Sequence, residues 1–212
     1  MNEKPVIIDY YLGITSPWAF MGHERLRRIA RENGAAINLL PVDLGGKIFP
    51  ISGGLPVNKR APQRLAYRLV ELKRYSEYLG IALKPQPTHF PVSSDQAAQL
   101  VIAVDRKDGI GKALDLSGAI MHALWVDDRH VDDPKVLADL LQKLDLPAQR
   151  MDDAHTQSVH EQYEADSQKA IDTGVFGSPT YIIDGEMFWG QDRLDFVERR
   201  LRLGSSTVAD PH

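Results

Sequence analysis

The β-strand signal of this chain is confined to its two ends, and this split constrains the fold more than any other feature. The run "PVIIDYYLG" (residues 5–13) is rich in β-branched and aromatic residues, and "AINLLPVDL" (36–44) is a second such run. The helical pattern between them starts at Ser16-Pro17 and stops at Asn33-Gly34. This order predicts a βαβ unit with a right-handed crossover.

The remaining strand signal lies near the C-terminus. The segment "SPTYIIDGEMFWG" (178–190) contains two short β runs joined by Asp184-Gly185, a strong hairpin signal, and a helical pattern follows it. Helical patterns without an internal repeat fill the chain between the two strand regions. We therefore expect an α/β, thioredoxin-like fold with a large all-helical insertion. Residues 1–44 and 174–212 form its discontinuous thioredoxin-like domain, and residues 45–173 form the inserted helical domain.

Glycine and proline are concentrated where the insertion begins. The segment "GGKIFPISGGLPVNKRAP" (45–62) is too long for a compact connection between a strand and a helix, so we expect a functional loop or an insertion boundary there. It lacks the Gly-Lys-Ser/Thr ending of a phosphate-binding P-loop.

The charge balance argues against a nucleic-acid partner. The chain has 29 acidic and 25 basic residues, a net charge of −4. Several arginines, including Arg25 and Arg28, follow the start of the first helix, and we expect them to face solvent. No apolar run approaches the roughly 18 residues that span a bilayer, and the N-terminus does not resemble a signal peptide. We expect a cytoplasmic protein without a membrane partner.

The chain contains no cysteine. Disulfides, thiolate metal sites and exchange through a thiol of the protein are thereby excluded. The seven histidines follow no paired metal-ligand spacing, and we expect no metal site.

The first candidate functional residue is Ser16, in "SPWA" (16–19). It lies where a strand gives way to a helix, the position at which thioredoxin-like redox proteins place Cys-X-X-Cys. A Ser-Pro pair at such a junction is most often a structural cap. The same hydroxyl, beside free N–H groups at the positive end of a helix, also suits an anion such as a thiolate supplied from outside.

Two further segments are candidates for ligand binding. Ser178-Pro179 precedes a strand, where proline is either a simple edge residue or, as in thioredoxin-like folds, a cis-proline beside the first helix. Gln191, Asp192 and Arg193 open the last helix. Individually they are ordinary cap and surface residues, but together they form a polar cradle that suits a zwitterion.

Four segments resemble, in order and spacing, the 2-hydroxychromene-2-carboxylate isomerase family, which is related to kappa-class glutathione transferases within the DsbA-like branch of thioredoxin folds. They are "DYYLGITSPWAFMGHERL", "HFPVSSDQA", "ALWVDDRHVDDPKVL" and "GVFGSPTYIIDGEMFWGQDRL". The resemblance extends from about residue 6 to residue 203. It implies a glutathione-dependent isomerase of aromatic hydrocarbon catabolism that acts on a small aromatic ketoacid, and a possible homodimer.

The resemblance also implies roles for individual residues. Ser16 contacts the glutathione sulfur, Ser178 beside cis-Pro179 pairs with the tripeptide backbone, and the segment 191–193 holds the γ-glutamyl end. Arg64 stands where the family often has lysine, Gly54 where it often has asparagine, and Ser178 where it often has an apolar residue.

Three aromatic residues, Trp18, Phe20 and Phe90, could wall the substrate site or belong to the core. Two other functions stay open from the sequence. They are a kappa-like glutathione transferase or peroxidase, which consumes glutathione, and a thiol-free thioredoxin-like module that binds extended peptides.

Overall fold

The computed structural model describes residues 4–204, so the end of the predicted C-terminal segment, residues 205–212, lies outside the described residues. Four strands form one sheet, and they are β1 (Ile7–Leu12), β2 (Ala36–Pro41), β3 (Thr180–Ile183) and β4 (Glu186–Trp189). Their spatial order is β2-β1-β3-β4. β1 and β2 are parallel, whereas β3 is antiparallel to both β1 and β4. Strands from the two ends of the chain therefore meet at the centre of the sheet.

The hairpin between β3 and β4 turns at the predicted dipeptide. Asp184 and Gly185 both have positive φ, 50° and 85°. This conformation matches the right-handed twist of the two strands, and it is the reason that Asp-Gly is favoured in such turns. The register pairs Ile183 with Glu186 and Thr180 with Trp189.

The helices in the described part of the chain are α1 (Pro17–Glu32), α2 (Phe49–Ser52), α3 (Pro62–Leu79), α4 (Asp95–Asp108), α5 (Ile110–Trp125), α6 (Pro134–Lys143), α7 (Arg150–Ala154), α8 (Gln157–Asp172) and α9 (Leu194–Leu203). Helix α1 is the crossover of the βαβ unit, as predicted, and α2 to α8 lie between β2 and β3. Helix α9 follows the hairpin.

The Gly/Pro-rich segment 45–62 is more helical than we predicted. It contains a π-helical turn (Leu44–Ile48), the short helix α2 and a 3₁₀ turn (Val57–Lys59). The carboxylate of Asp43 starts the first turn by accepting a hydrogen bond from the Gly46 N–H at 2.7 Å. Gly53, with φ of 75°, ends α2 in the left-handed conformation. Capping by Asp43 accounts for the first of these turns, whereas α2 and the 3₁₀ turn have no side-chain cap.

The sheet and the helices between β2 and β3 share one hydrophobic core. The largest buried cluster includes Tyr10 and Tyr181 of the sheet together with Val101 of α4 and Trp125 of α5. Helix α8 packs beside β2, where the Ser167 hydroxyl accepts from the Asp43 N–H at 3.0 Å. The division of the chain into two domains at residues 45 and 174 stays a prediction. In the structure, the sheet and the helices between β2 and β3 are packed together.

A buried carboxyl on α8 gives a stability prediction. Asp166 is 5% exposed, and burial raises its pKa to about 6. Because the folded state holds this proton more tightly than the unfolded chain, stability falls as the pH rises from about 4 to about 6. We expect Asp166→Asn to raise the free energy of unfolding at pH 7.5 by about 1–2 kcal/mol, which is several degrees in melting temperature, and the gain to vanish near pH 4.

Asp172 supplies a matched control for this measurement. Both carboxylates accept a hydrogen bond from the glutamine one turn earlier at 2.8 Å, Gln162 for Asp166 and Gln168 for Asp172, but Asp172 is exposed. Asp172→Asn is expected to change the free energy of unfolding by about 0.5 kcal/mol or less. Equal melting curves for Asp166→Asn and the parent protein at pH 7.5 would show that the buried carboxylate costs no stability.

Candidate active site

Ser16 caps helix α1, and its hydroxyl faces the segment before β3. The Ser16 oxygen accepts from the Ala19 N–H at 3.2 Å, while its O–H donates to the backbone carbonyl of Ser178 at 3.1 Å. Pro17 has no N–H, and the N–H of Trp18 has no acceptor among residues 4–204. The start of α1 therefore presents one free N–H and one hydroxyl that can reorient, both at the positive end of a helix of 16 residues.

The peptide bond between Ser178 and Pro179 is cis, which is the thioredoxin-like alternative given above. The Ser178 hydroxyl accepts from the Gly13 N–H at 2.7 Å and lies 3.3 Å from the Tyr11 carbonyl. Ser178 is 8% exposed, so this side chain fixes the loop to β1 and does not face solvent. Its backbone N–H has no acceptor within the described residues. That N–H is the polar group that an extended ligand could use here.

An aromatic pair flanks the cis peptide. Phe176 and Trp189 are 42% and 52% exposed, and their ring centroids lie 4.8 Å apart. Gly177 lies against the Trp189 indole so closely that a Cβ on this glycine would be 2.4 Å from Nε1. A side chain at residue 177 would therefore displace the indole.

The predicted polar cradle divides into a buried and an exposed part. Gln191 is 2% exposed, and its side-chain and backbone oxygens accept from Arg25 Nη1 at 2.9 and 3.3 Å. Asp192 and Arg193 are exposed and form an ion pair at 2.8 Å. The expectation that Arg25 faces solvent was wrong, because its guanidinium holds the start of the last helical segment against α1. The exposed Asp192–Arg193 pair is the part of the cradle that can bind a zwitterion.

Tyr75 is a site residue that the sequence reasoning missed. Its ring packs edge-on against Trp18 with centroids 6.0 Å apart. Partial burial raises the pKa of Tyr75, and the nearby Asp192 carboxylate raises it further. Tyr75 therefore joins α3 to the start of α1, with the Asp192 carboxylate close enough to act on it electrostatically. Only the helical periodicity of α3 was visible in the sequence, which gives no indication of this long-range contact.

The remaining predicted site residues lie on α1, on α3 and in the segment before α4. Arg64 is exposed in the first turn of α3, and its charge lowers the pKa of Arg60, after the larger effect of burial. The three candidate wall residues have different partners. Trp18 packs on Tyr75, Phe20 on the His122 ring, and Phe90 on Trp125. Phe20 also lines a separate cleft of about 380 Å³ between α1 and α5.

Comparison with protein families matches residues 7–202 to the DSBA-like thioredoxin domain. The chain belongs to this family. Two relatives, both named 2-hydroxychromene-2-carboxylate isomerase, are 26% identical to it. The one from Pseudomonas sp. (strain C18) aligns over 91% of this chain and 89% of its own length. The one from Sphingobium xenophagum aligns over 92% and 97%.

A solved structure confirms the relation of this DSBA-like chain to those isomerases. The structure of a 2-hydroxychromene-2-carboxylate isomerase superposes with a TM-score of 0.78 at 26% identity and covers 91% of this chain and 93% of the other. The resemblance found in the sequence and the predicted fold class are both confirmed. Within residues 4–204, no helix is long and apolar enough to cross a membrane.

Proposed function

We propose that this DSBA-like protein is a glutathione-dependent isomerase. Its substrate is 2-hydroxychromene-2-carboxylate, or a similar ring-opened aromatic ketoacid, and the product is trans-o-hydroxybenzylidenepyruvate in naphthalene-type catabolism. The names of the relatives support this reaction. The observation that carries the proposal is the Ser16 hydroxyl, which sits beside a cis-proline at a helix N-terminus in a chain without cysteine.

The residues around the start of α1 and the cis Ser178–Pro179 peptide fit a bound tripeptide thiol. The N–H groups of Trp18 and Ser178 have no acceptor within residues 4–204. The first could donate to sulfur, and the second could donate to the tripeptide backbone. The exposed Asp192–Arg193 pair offers both charges to the γ-glutamyl end, and Arg64 offers a cation to a carboxylate. Gln191 has a supporting role, because its side-chain oxygen already accepts a hydrogen bond from Arg25 and is not available to the ligand.

Glutathione supplies, when bound, a thiolate that adds reversibly to a conjugated double bond, so that the bond can rotate before the thiol leaves unchanged. The protein's part is to keep the thiol ionised. A free thiol with a pKa near 8.5 is only a few per cent ionised at pH 7, and lowering that pKa by about two units requires about 2.7 kcal/mol.

The geometry at the start of α1 accounts for this stabilisation. A hydrogen bond to a charged acceptor is worth about 1.5–3 kcal/mol, and a helix N-terminus adds about 0.3–1 kcal/mol. The Ser16 O–H turns from the Ser178 carbonyl toward the sulfur, while the Ser16 oxygen still accepts from the Ala19 N–H. Ser16 thus acts as a donor, and the reaction requires no nucleophile from the chain.

The direct test follows 2-hydroxychromene-2-carboxylate with and without glutathione, recording the substrate absorbance and the free thiol together. We expect conversion that depends on glutathione while the thiol concentration stays constant. Loss of thiol in step with the substrate would instead identify a transferase, and reduction of a peroxide with thiol loss would identify a peroxidase.

A binding module would give a different result. If glutathione neither changes any rate nor raises the melting temperature, the enzyme proposals fail. Binding of an extended peptide at the Ser178 backbone under the same conditions would then identify a thiol-free peptide-binding module.

A further inference from the structure

Arg68 is a buried cation without a counter-charge. It is 8% exposed on α3, and its Nη2 atom is buried without a hydrogen-bond partner among residues 4–204. Burial lowers the pKa of Arg68 to about 10, with a further contribution from the positive charge of Arg60. Among the described residues, Arg68 forms no ion pair. An unpaired buried charge is costly, so an anion that reached this guanidinium would be stabilised by it.

Two aromatic rings enclose this guanidinium. Its central carbon lies 5.2 Å from the Phe90 ring centroid and 5.8 Å from that of Trp125. The two rings are themselves 4.8 Å apart. Trp125 is fully buried, and its Nε1 is a second donor without a partner in the described chain. Two buried donors without partners, Arg68 Nη2 and Trp125 Nε1, thus belong to one aromatic cluster formed by α3, α5 and the segment that carries Phe90.

The position of Arg68 on α3 relates this cluster to the candidate active site. Arg68 and Tyr75 are seven residues apart, so they lie on one face of the helix, about two turns or 10 Å from each other. Tyr75 contacts Trp18 at the start of α1. The cluster therefore lies on the face of α3 that is turned toward the start of α1, where the thiol of glutathione is proposed to bind.

We propose that Arg68 and Trp125 bind the carboxylate of an aromatic ligand, with Nη2 and Nε1 donating to its oxygens and Phe90 packing on its ring. Phe90 covers the guanidinium, so the ligand enters by displacing this side chain. The assignment of this ligand as the substrate's own carboxylate rests on the proposed isomerase function. Glutathione also carries carboxylates, but the aromatic enclosure favours an aromatic acid over the flexible glycine end of the tripeptide.

Chromone-2-carboxylate and chromone are suitable probes, because they differ only in the carboxylate. We expect the wild-type protein to bind the acid more tightly, on the order of ten- to a hundredfold, as measured by titration calorimetry. Arg68→Met should lose this preference and keep its affinity for chromone and for glutathione. Arg74→Met is the matched control, since Arg74 lies on the same helix, is exposed and pairs with Glu71.

Stability separates this role from a purely structural one. If Arg68 only packs between two rings, Arg68→Met lowers the melting temperature of the ligand-free protein. If it is an unpaired ligand-binding cation, the melting temperature stays the same or rises, while the stabilisation by chromone-2-carboxylate disappears. Arg68→Gln repeats the affinity test with a polar side chain if the methionine variant does not fold.

Two results would overturn the proposal. They are equal affinity of the wild-type protein for the two probes, and an unchanged preference for the acid in a folded Arg68 variant, whether or not that variant also loses glutathione affinity. Neither result measures glutathione-dependent turnover. Conversely, selective binding of the acid through Arg68 in a protein that turns over no chromene substrate would leave this site standing and refute the isomerase assignment.

Discussion

Replacing Ser16 by glycine is expected to lower glutathione-dependent turnover by about ten- to a hundredfold while leaving helix α1 folded. The factor corresponds to one hydrogen bond to a charged sulfur, about 1.5–3 kcal/mol. Glycine is the informative replacement, because at an N-cap it costs only a few tenths of a kcal/mol relative to serine, whereas alanine costs about 1 kcal/mol. The rate should also move to higher pH, since the bound thiol then ionises less readily.

A second N-cap provides the control for Ser16. Asp133 caps α6 by accepting from the Lys135 N–H at 2.9 Å. Asp133→Gly should cost about as little stability as Ser16→Gly, a few tenths of a kcal/mol, without changing turnover, which separates loss of a cap from loss of chemistry. Rates and pH profiles of Ser16→Gly that match those of the parent protein would remove Ser16 from the mechanism and leave the Trp18 N–H as the remaining donor at this helix start.

The parts of the fold that the sequence predicted are those that a few neighbouring residues determine. Ser16-Pro17 starts α1 because the serine oxygen reaches the Ala19 N–H three residues later. Asp184-Gly185 makes the hairpin because both residues tolerate positive φ. Strand and helix order then limited the arrangement to a thioredoxin-like sheet, since crossover handedness and short connections exclude most alternatives.

The side-chain partners of the site could not be predicted in this way, because each involves a distant element. Arg25 was expected in solvent, yet it bonds to Gln191, which is 166 positions further along the chain. The sequence did contain one indication of this contact. Gly22 precedes Arg25 by three residues, and a Cβ there would lie 2.9 Å from both the Gln191 Cβ and the Tyr181 hydroxyl oxygen. A glycine inside a helix indicates that another element packs closely on that face.

A comparable indication in the sequence exists for Arg68. It lies on the same face of α3 as Leu72 and Tyr75, so its spacing places an arginine among apolar positions. Periodicity identifies that face, but it cannot show whether a carboxylate comes from another element to neutralise the charge. The unpaired state of Arg68 was therefore visible only once Phe90 and Trp125 were placed around it.

The contact between Arg25 and Gln191 leads to the second large expected effect. Arg25→Met removes the donor to two oxygens of a residue that is 2% exposed. A buried acceptor without a partner costs about 1–3 kcal/mol, so we expect a loss of about 2–3 kcal/mol in the free energy of unfolding. Glutathione affinity should fall as well, because Asp192 and Arg193 follow directly in the same turn. Urea unfolding and calorimetry measure the two effects.

Arg28→Met is the matched control for this variant. Arg28 lies one turn later on α1, is about half exposed and pairs with Glu32, so its loss should cost about 0.5 kcal/mol or less. Gln191→Leu added to Arg25→Met should restore part of the stability, since both partners of the side-chain bond are then gone, but it should not restore glutathione affinity. If Arg25→Met instead unfolds and binds glutathione like Arg28→Met, the contact between Arg25 and the buried Gln191 does not position the 191–193 turn.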